Sequence, residues 1–305
     1  MIPPPTWLSP NKHYLVGISG GRDSVALHHW LVENNFKNIT YCHLNHGLRG
    51  EESDGDEEFL RKLLKDDLIV GHTNIAELAG NQNLSLETAA RKARHHFFKD
   101  CADQTGVTTI LLAHHADDQS ETILFNLLRG AAGLKGMKSQ QRIGPLTILR
   151  PLLEVRRETI DQYLKALNSP YRDDSSNLEP FATRNRLRND AIPLLSEIMQ
   201  RDITANIVRA SRHYNELERA ADSQLAEVEL LDPQGRIHLP TLQNLPIALQ
   251  KRSIHQFLTS HQIPDLTSAH INEALKIAQP DSSPSMNLPG GQRLRRKEAR
   301  LFISA

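Results

Sequence analysis

The six residues Ser19-Gly20-Gly21-Arg22-Asp23-Ser24 join a short apolar run, Tyr14–Ile18, to a longer amphipathic one, Ser24–Glu33. A short apolar stretch, a glycine pair and a helix-periodic segment, in that order, read as strand, tight turn and helix. Two glycines let backbone amides turn inward around an anion that side chains would otherwise keep away. The helix that follows offers its unpaired N–H groups and the positive end of its dipole. Ser19 and Ser24 add hydroxyl donors at the two edges. Asp23 repels phosphate by charge, so its natural partner is magnesium or a positively charged reactant. A Gly-Gly turn with Asp or Ser capping a helix explains the same residues without any ligand. The strand before, the helix after and the paired hydroxyls favour a phosphate-binding loop. The other common phosphate loop, GxxxxGK[ST], occurs nowhere in the chain.

Outward from this loop, the first half alternates strand-like and helix-like segments. The strand-like runs are Tyr14–Ile18, Ile39–Leu44, Leu68–His72 and Val107–Ala113, and the helix-like ones are Ser24–Glu33, Asp56–Lys65, Leu86–Gln104 and Asp118–Arg129. That order predicts an α/β fold, a Rossmann-like doubly wound parallel sheet with helices on both faces. In such sheets ligands bind outside the carboxyl ends of the strands. The Gly-rich, basic stretch Gly130–Leu146 reads as a loop. A helix follows at Arg156–Leu167, then the polar segment Tyr171–Asn177, and helix resumes near Arg184 with a bend at Pro193. Ile203, Ile207, Ala210, Tyr214, Leu217, Ala221, Leu225 and Val228 recur at spacings of three and four, which predicts one long amphipathic helix with a packing stripe. This divides the chain into a nucleotide-binding catalytic domain, 1–215, and a smaller, mainly helical domain, 216–305. In the latter, helices are expected at Leu245–Ser260 and Ser268–Ala278, with strands around Met286–Leu288 and Leu301–Ile303.

With 39% hydrophobic and 24% charged residues, the composition is that of a soluble globular protein. No apolar run approaches the roughly 18 residues a membrane helix needs. Met1–Pro10 contains three consecutive prolines and neither a basic nor a continuous apolar region, so no signal peptide is expected. Cys42 and Cys101 lie in strand-like and helix-like runs, without a CxxC or a zinc spacing, and read as buried thiols. Adjacent helical residues diverge by about 100°, so the pairs His28/His29, His95/His96 and His114/His115 are poor chelates and zinc is not expected. A cytoplasmic location follows. Lys+Arg and Asp+Glu both number 36, giving no net charge, yet the charges are segregated. Glu51–Asp67 carries eight acids against three bases, Arg129–Arg157 seven bases against one acid, and Arg293–Arg300 five bases against one. Such segregation suits a polyanionic partner or a solvated surface equally.

The SGGxDS loop resembles that of the N-type ATP pyrophosphatases, which cleave ATP between the α- and β-phosphates. Within that superfamily the sequence is similar to the tRNA(Ile)-lysidine synthetases. The resemblance is carried by His43-Leu44-Asn45-His46-Gly47-Leu48-Arg49, by Glu87-Thr88-Ala89-Ala90-Arg91 with Arg94, and by Ala113-His114-His115-Ala116-Asp117-Asp118-Gln119-Ser120-Glu121-Thr122. It continues in Asp174-Ser175-Ser176-Asn177 ahead of Arg184-Asn185-Arg186-Leu187-Arg188, and in Leu288-Pro289-Gly290-Gly291 near the end. The chain stops at Ala305, so the extra C-terminal domain of longer members is expected to be absent. The resemblance implies that ATP adenylates the wobble cytidine of a tRNA(Ile) with a CAU anticodon, releasing pyrophosphate. The L-lysine ε-amine then displaces AMP. ATP, Mg2+, L-lysine and the tRNA are the implied cofactor and partners. No membrane is involved, and a homodimer is among the assemblies this reading allows.

Individual residues can then be given roles. Ser19, Gly20, Gly21, Arg22, Asp23 and Ser24 form the expected ATP loop, with His46 beside the nucleotide cleft or simply a turn histidine on the surface. Asp23 and Asp117 are the candidate magnesium ligands. Asp118 and Glu121, three residues apart, share a helix face; acids also favour helix N-termini for dipole reasons alone. Two carboxylates hold an ammonium well and one can take its proton, and the resemblance assigns them to lysine. Arg94 is a candidate for the lysine carboxylate or a phosphate, because a guanidinium fork matches either. Glu87 and Arg91 have the spacing of a helix-surface ion pair. Arg129, Asn177, Arg184, Arg186 and Arg188 are the candidate tRNA-phosphate contacts. Two other functions share the loop. A tRNA thiolase wants persulfide or cluster cysteines, which Cys42 and Cys101 do not supply; a non-catalytic nucleotide sensor would not need Asp23, Asp118 and Glu121. Amidating relatives need a glutaminase, for which the length leaves no room.

Overall fold

The computed structural model describes residues 4–47, 51–64, 67–131, 133–172 and 183–304; Arg49 and the Asp174–Asn177 motif, with Asn177, lie outside them. The chain divides into two compact units, Met1–Ser211 and Arg212–Ala305.

In the first unit β1 (Tyr14–Gly17), α1 (Arg22–Glu33), β2 (Ile39–Asn45), α2 (Glu51–Leu64) and β3 (Leu68–His72) are followed by α3 (Ile75–Gln82), α4 (Leu86–Thr105), β4 (Thr109–Leu111) and α5 (Ala116–Leu128). Then come β5 (Gln140–Ile143), β6 (Leu146–Leu149), α6 (Arg157–Ala166), α7 (Thr183–Arg186), a π-helical turn at Leu187–Ala191, α8 (Ile192–Ile198) and the long α9 (Thr204–Ala226), which runs on past Ser211. Among the described residues the sheet has the order β3-β2-β1-β4-β6-β5. The pairs β1–β2, β2–β3, β1–β4 and β4–β6 are parallel and β5–β6 is antiparallel. The central strands β1 and β4 are apolar and buried on both faces, as a parallel strand covered by helices must be. One face packs Val25, Trp30 and Leu31 of α1, Leu60 of α2 and Ile160 and Leu164 of α6; the other packs Phe98, Cys101 and Ala102 of α4. Both cysteines are buried free thiols.

Helix boundaries follow local chemistry. Ser85 caps α4 by accepting from the Thr88 N–H at 3.2 Å, and Gly106, with φ 73°, ends it in the left-handed conformation that glycine adopts at little cost. Asn74 and Asn83 do the same at the two ends of α3, a helix the sequence reading did not foresee. The stretch Gly130–Leu146, expected to be a loop throughout, contains the edge strand β5. Its residues Gln140, Gln141 and Arg142 lack an apolar alternation because only β6 covers them.

The second unit holds β7 (Ile237–His238), α10 (Leu239–Gln243), α11 (Ile247–Ser260), α12 (Ser268–Ile277), β8 (Ser285–Asn287), β9 (Arg293–Lys297) and β10 (Arg300–Ser304). The expected helices are present, and beside them an antiparallel sheet, β7-β10-β9-β8, which includes the strands expected near Met286 and Leu301, forms one side of the shared core. Strand β9 escaped notice because four of its five residues are basic, with only Leu294 turned into the core. Of the expected stripe, Ile203, just before α9, and Leu225 within it are buried, but Leu217 is 72% exposed, so the stripe is not packed along its whole length.

Ile110 of β4 is 0% exposed and lies between Leu15, Phe98 and Leu146. Ile110→Ala should therefore cost about 2–5 kcal/mol in urea unfolding; a loss well under 1 kcal/mol would show that β4 is not at the packed centre.

Candidate active site

The strand order reverses direction between β1 and β4, and the segments leaving their carboxyl ends lie side by side. This is the switch point at which open α/β sheets leave a crevice. The glycine loop leaves β1 and the His115–Glu121 motif leaves β4, so the topology alone brings the two motifs together.

In the loop Gly20 has φ 82°, a value that side-chain-bearing residues rarely adopt. The Ser24 hydroxyl donates to the Gly21 carbonyl at 2.8 Å and accepts from the Ser19 N–H at 3.2 Å, and the Gly21 N–H donates to Ser19 Oγ at 3.3 Å. These bonds hold the turn closed on itself. Gly21 is the N-cap of α1 and offers no side chain to its first turn, which leaves that turn open to an anion. From the other side the Arg172 N–H donates to the Gly20 carbonyl at 3.0 Å. Arg22 Nε is tied to Asp23 at 3.2 Å and to Asp161 of α6 at 3.1 Å.

His115 joins the loop to the acidic motif. It is 2% exposed, and its Nε2 lies 3.6 Å from Asp23 and 3.5 Å from Asp118. The other ring nitrogen, Nδ1, faces both the Asp117 N–H, at 3.2 Å, and the Asp117 carboxylate, at 3.6 Å. A neutral ring accepts the N–H and caps α5; an imidazolium donates to the carboxylate instead. Burial works against the charged ring, but Asp117, Asp23 and Asp118 outweigh it and raise its pKa to about 9. Burial likewise opposes the Asp23 anion, yet His115 and Arg22 lower its pKa to about 2. The neighbouring His114 goes the other way: burial, with Arg150 and Arg94 nearby, lowers it to about 4.

Asp117, expected as a metal ligand, has both oxygens engaged. Arg156 donates to them at 3.1 and 3.3 Å, and the Arg157 N–H donates to Oδ2 at 2.8 Å. Its pKa is depressed well below the carboxylate range, because these donors and His115 overcome the effect of burial. Here the carboxylate anchors the start of α6, and a metal would have to displace its donors.

Asp118 and Glu121 do share a face of α5, as expected, and a cation already lies on them. Arg188, from the π-helical turn, donates through Nε to Glu121 Oε1 at 2.6 Å and through Nη2 to Glu121 Oε2 at 3.1 Å and Asp118 Oδ1 at 3.0 Å. The remaining oxygen, Asp118 Oδ2, accepts from the His115 N–H at 3.1 Å. Glu121 is 4% exposed, and burial raises its pKa even against the Arg188 charge. Arg188 thus faces inward to the acidic pair, apart from the surface positions of Arg184 and Arg186. Arg184 lies 3.5 Å from Glu87, which accordingly meets it and not only its own helix, while Arg186 pairs with Asp190 at 3.5 Å. The guanidinium groups of Arg129 and Arg184 lie over the Phe125 ring at 5.1 and 5.6 Å.

The basic segment also sorts into two groups. Arg150 is 7% exposed and donates to the Lys138 carbonyl at 2.7 Å, and Arg156 is held by Asp117 and Asp202. Arg150 is buried, and Arg156 is half-buried with carboxylate partners. Arg94 is exposed on α4, near enough to His114 to depress its pKa. His46 follows β2 and its carbonyl accepts from the Ile75 N–H at 3.3 Å. Beside it a cavity of about 380 Å3, lined by Asn45, Gly47, Asp54, His72, Thr73 and Asn74, opens at the ends of β2 and β3. Three residues whose place in the site the sequence does not reveal are central to it: His115, Arg156 and Gln119. Gln119 donates to the Met137 carbonyl at 2.8 Å and accepts from the Met137 N–H at 2.7 Å, pinning the basic segment to α5. Among the described residues no three His, Cys, Asp or Glu side chains are arranged to hold a metal ion, and no helix is long and apolar enough to cross a membrane.

Residues 4–195 match a family model described as a PP-loop domain, and residues 237–302 match one described as a TilS substrate binding domain. A tRNA(Ile)-lysidine synthase of Bacteroides thetaiotaomicron is 34% identical over 85% of this chain and 62% of its own length. One from Chlorobaculum tepidum is 32% identical over 80% of this chain and 76% of its own. The chain spans about half to two thirds of the length of most such relatives. In fold it is similar to a U34-tRNA thiolase, NcsA from Methanococcus maripaludis, with a TM-score of 0.52 at 16% identity, over 73% of this chain and 74% of that one.

The buried imidazolium has a measurable signature. A raised folded pKa means that the stabilisation by His115 protonation is fully present below the unfolded value of about 6.5 and disappears as pH rises through about 9. In chelator-containing buffer the His115 ring should titrate by NMR near the upper value, and His115→Gln should flatten the alkaline fall in stability. A midpoint at or below 6.5 would mean that the ring keeps the neutral capping bond.

Proposed function

The chain belongs to the tRNA(Ile)-lysidine synthase family, and from that premise we propose that it ligates L-lysine to carbon 2 of the wobble cytidine in a tRNA(Ile) with a CAU anticodon, at the expense of ATP. The observation that carries the proposal is the link through His115 between an open, glycine-lined helix start and a carboxylate pair, Glu121 buried and Asp118 half-buried. One end suits phosphates and the other suits an ammonium, and the space between them is where a nucleobase would have to lie.

In this reading the first-turn amides of α1, with Ser19 and Ser24, cradle the ATP phosphates while the cytidine oxygen attacks the α-phosphate and pyrophosphate departs. Asp23 is exposed enough, and ionised enough, to hold Mg2+, which would offset charge on the departing phosphates. Asp118 and Glu121 bind the lysine ε-ammonium. Glu121, with its raised proton affinity, takes the proton that the amine must lose before it attacks carbon 2 and expels AMP. Arg94, on the exposed face of α4 near His114, offers a fork for the lysine carboxylate or a phosphate. Arg129, Arg184 and Arg186 are outward-facing cations suited to RNA phosphates, and residues 216–305 would add tRNA recognition. The site is expected to work in the cytoplasm, where tRNA and ATP are available. A sulfur-transfer reading would need reactive thiols, and Cys42 and Cys101 are buried in the core.

Incubation with ATP, isotopically labelled lysine and tRNA(Ile), followed by nucleoside analysis, should give a labelled cytidine derivative at the first anticodon position. A thiolated base, or no change in the presence of AMP release, would overturn the assignment. Asp23→Asn should fold normally and lose about 3–4 kcal/mol of transition-state stabilisation, read as kcat/KM for pyrophosphate release. Turnover near that of the wild type would remove Asp23 from the magnesium role.

A further inference from the structure

All four oxygens of the pair assigned to lysine are already in use: three accept from Arg188 and the fourth from the His115 N–H. The fork on Glu121 is bidentate, the strongest geometry a carboxylate and a cation can adopt. An ammonium needs the same oxygens for its three N–H donors, and two full positive charges at contact distance repel. Arg188 and a substrate amine therefore compete for the pair. The four carboxylates Asp23, Asp117, Asp118 and Glu121 face four cations, Arg22, His115, Arg156 and Arg188, and replacing one cation by another leaves the local charge unchanged.

The element that carries Arg188 is suited to movement. Leu187–Ala191 is a π-helical turn between two short helices, α7 and α8, and such turns are rare and recur at functional sites. Leu187 alone in the turn is buried. Four residues before Arg188 on the same segment, Arg184 reaches toward Glu87 and the Phe125 ring on the outer face.

We propose that Arg188 is a resident cation that keeps the amine subsite closed, and that substrate lysine enters Asp118 and Glu121 only by taking its place. This rests on the assignment of the pair to the lysine amine made above. It gives the site a gate and sets its selectivity: the pair admits a ligand that can compete with a bidentate guanidinium, which a primary ammonium does and a neutral side chain does not. It also couples the two substrates. RNA phosphates that draw Arg184 and Arg186 outward would pull Arg188 from the pair, so that lysine binds more tightly once tRNA is in place, and by reciprocity tRNA binds more tightly with lysine present.

The test is calorimetric titration of the full chain with L-lysine, without RNA, for the wild type, Arg188→Gln and Glu121→Gln. If the closed state dominates, removing the resident cation should tighten lysine binding by about tenfold or more, since apparent affinity scales with the fraction of open sites. Methylguanidinium should compete with lysine in Arg188→Gln, and tRNA should narrow the gap between that variant and the wild type. Equal or weaker lysine binding by Arg188→Gln, with binding abolished by Glu121→Gln, overturns the gate while leaving the amine site standing. Unchanged lysine binding by Glu121→Gln overturns the amine site itself, and the gate with it. If Arg188→Gln does not fold, Arg188→Lys keeps a cation but loses the fork; it should show the same tightening at smaller size, and no tightening there counts against the gate.

Discussion

Four carboxylates converge on the ends of two adjacent strands, and a buried imidazole lies at their centre. His115 approaches Asp23 on the loop after β1 and Asp117 and Asp118 on the helix after β4. Without cations these acids would be too costly to hold together in a part-buried place; Arg22, His115, Arg156 and Arg188 among them offset the negative charge. The network spans long stretches of chain. Asp117 fixes Arg156 and the start of α6, Asp118 and Glu121 fix the π-helical turn, and Asp23 fixes the phosphate loop against the motif that follows β4. The same contacts that position reactive groups also connect the elements that carry them, and this explains why the acids persist where an apolar core would be easier to build.

The division of labour in the site follows from burial. Asp23, on the exposed side of His115, is a strong anion that can meet a metal or a phosphate-bound reactant. Glu121, on the buried side, holds its proton more readily. Two carboxylates with proton affinities pushed apart by their surroundings are the arrangement expected where one group must remain charged and the other exchange a proton. The two ends also lie on different elements, so the phosphate and amine halves of the chemistry can be perturbed separately.

Much of this was legible in the sequence. The glycine loop, the alternation of strands and helices, and the Asp117–Glu121 motif could be placed at the ends of strands, because each depends on local periodicity or on residues close in sequence. What escaped depended on distance. Arg188 has nothing beside it in sequence to show that it meets Glu121, 67 residues away, and not RNA. Arg156 and Arg150 read as members of a basic surface, yet the fold buries Arg150 and engages Arg156 with Asp117 and Asp202. His115 was obscured by its neighbour: as half of a histidine doublet it could be dismissed as a chelator, and only the three surrounding carboxylates reveal its role. Strands β5 and β9 lacked an apolar signal because they are short and largely polar.

The claim that phosphate and amine chemistry occupy opposite sides of His115 can be tested directly by following pyrophosphate release and lysine incorporation in a single rapid-quench time course with Glu121→Gln. The account predicts a burst of pyrophosphate release close to that of the wild type, with adenylated tRNA accumulating and lysine incorporation lost. If pyrophosphate release and lysine incorporation fall together, the carboxylate pair serves the ATP half of the reaction and the proposed division is contradicted.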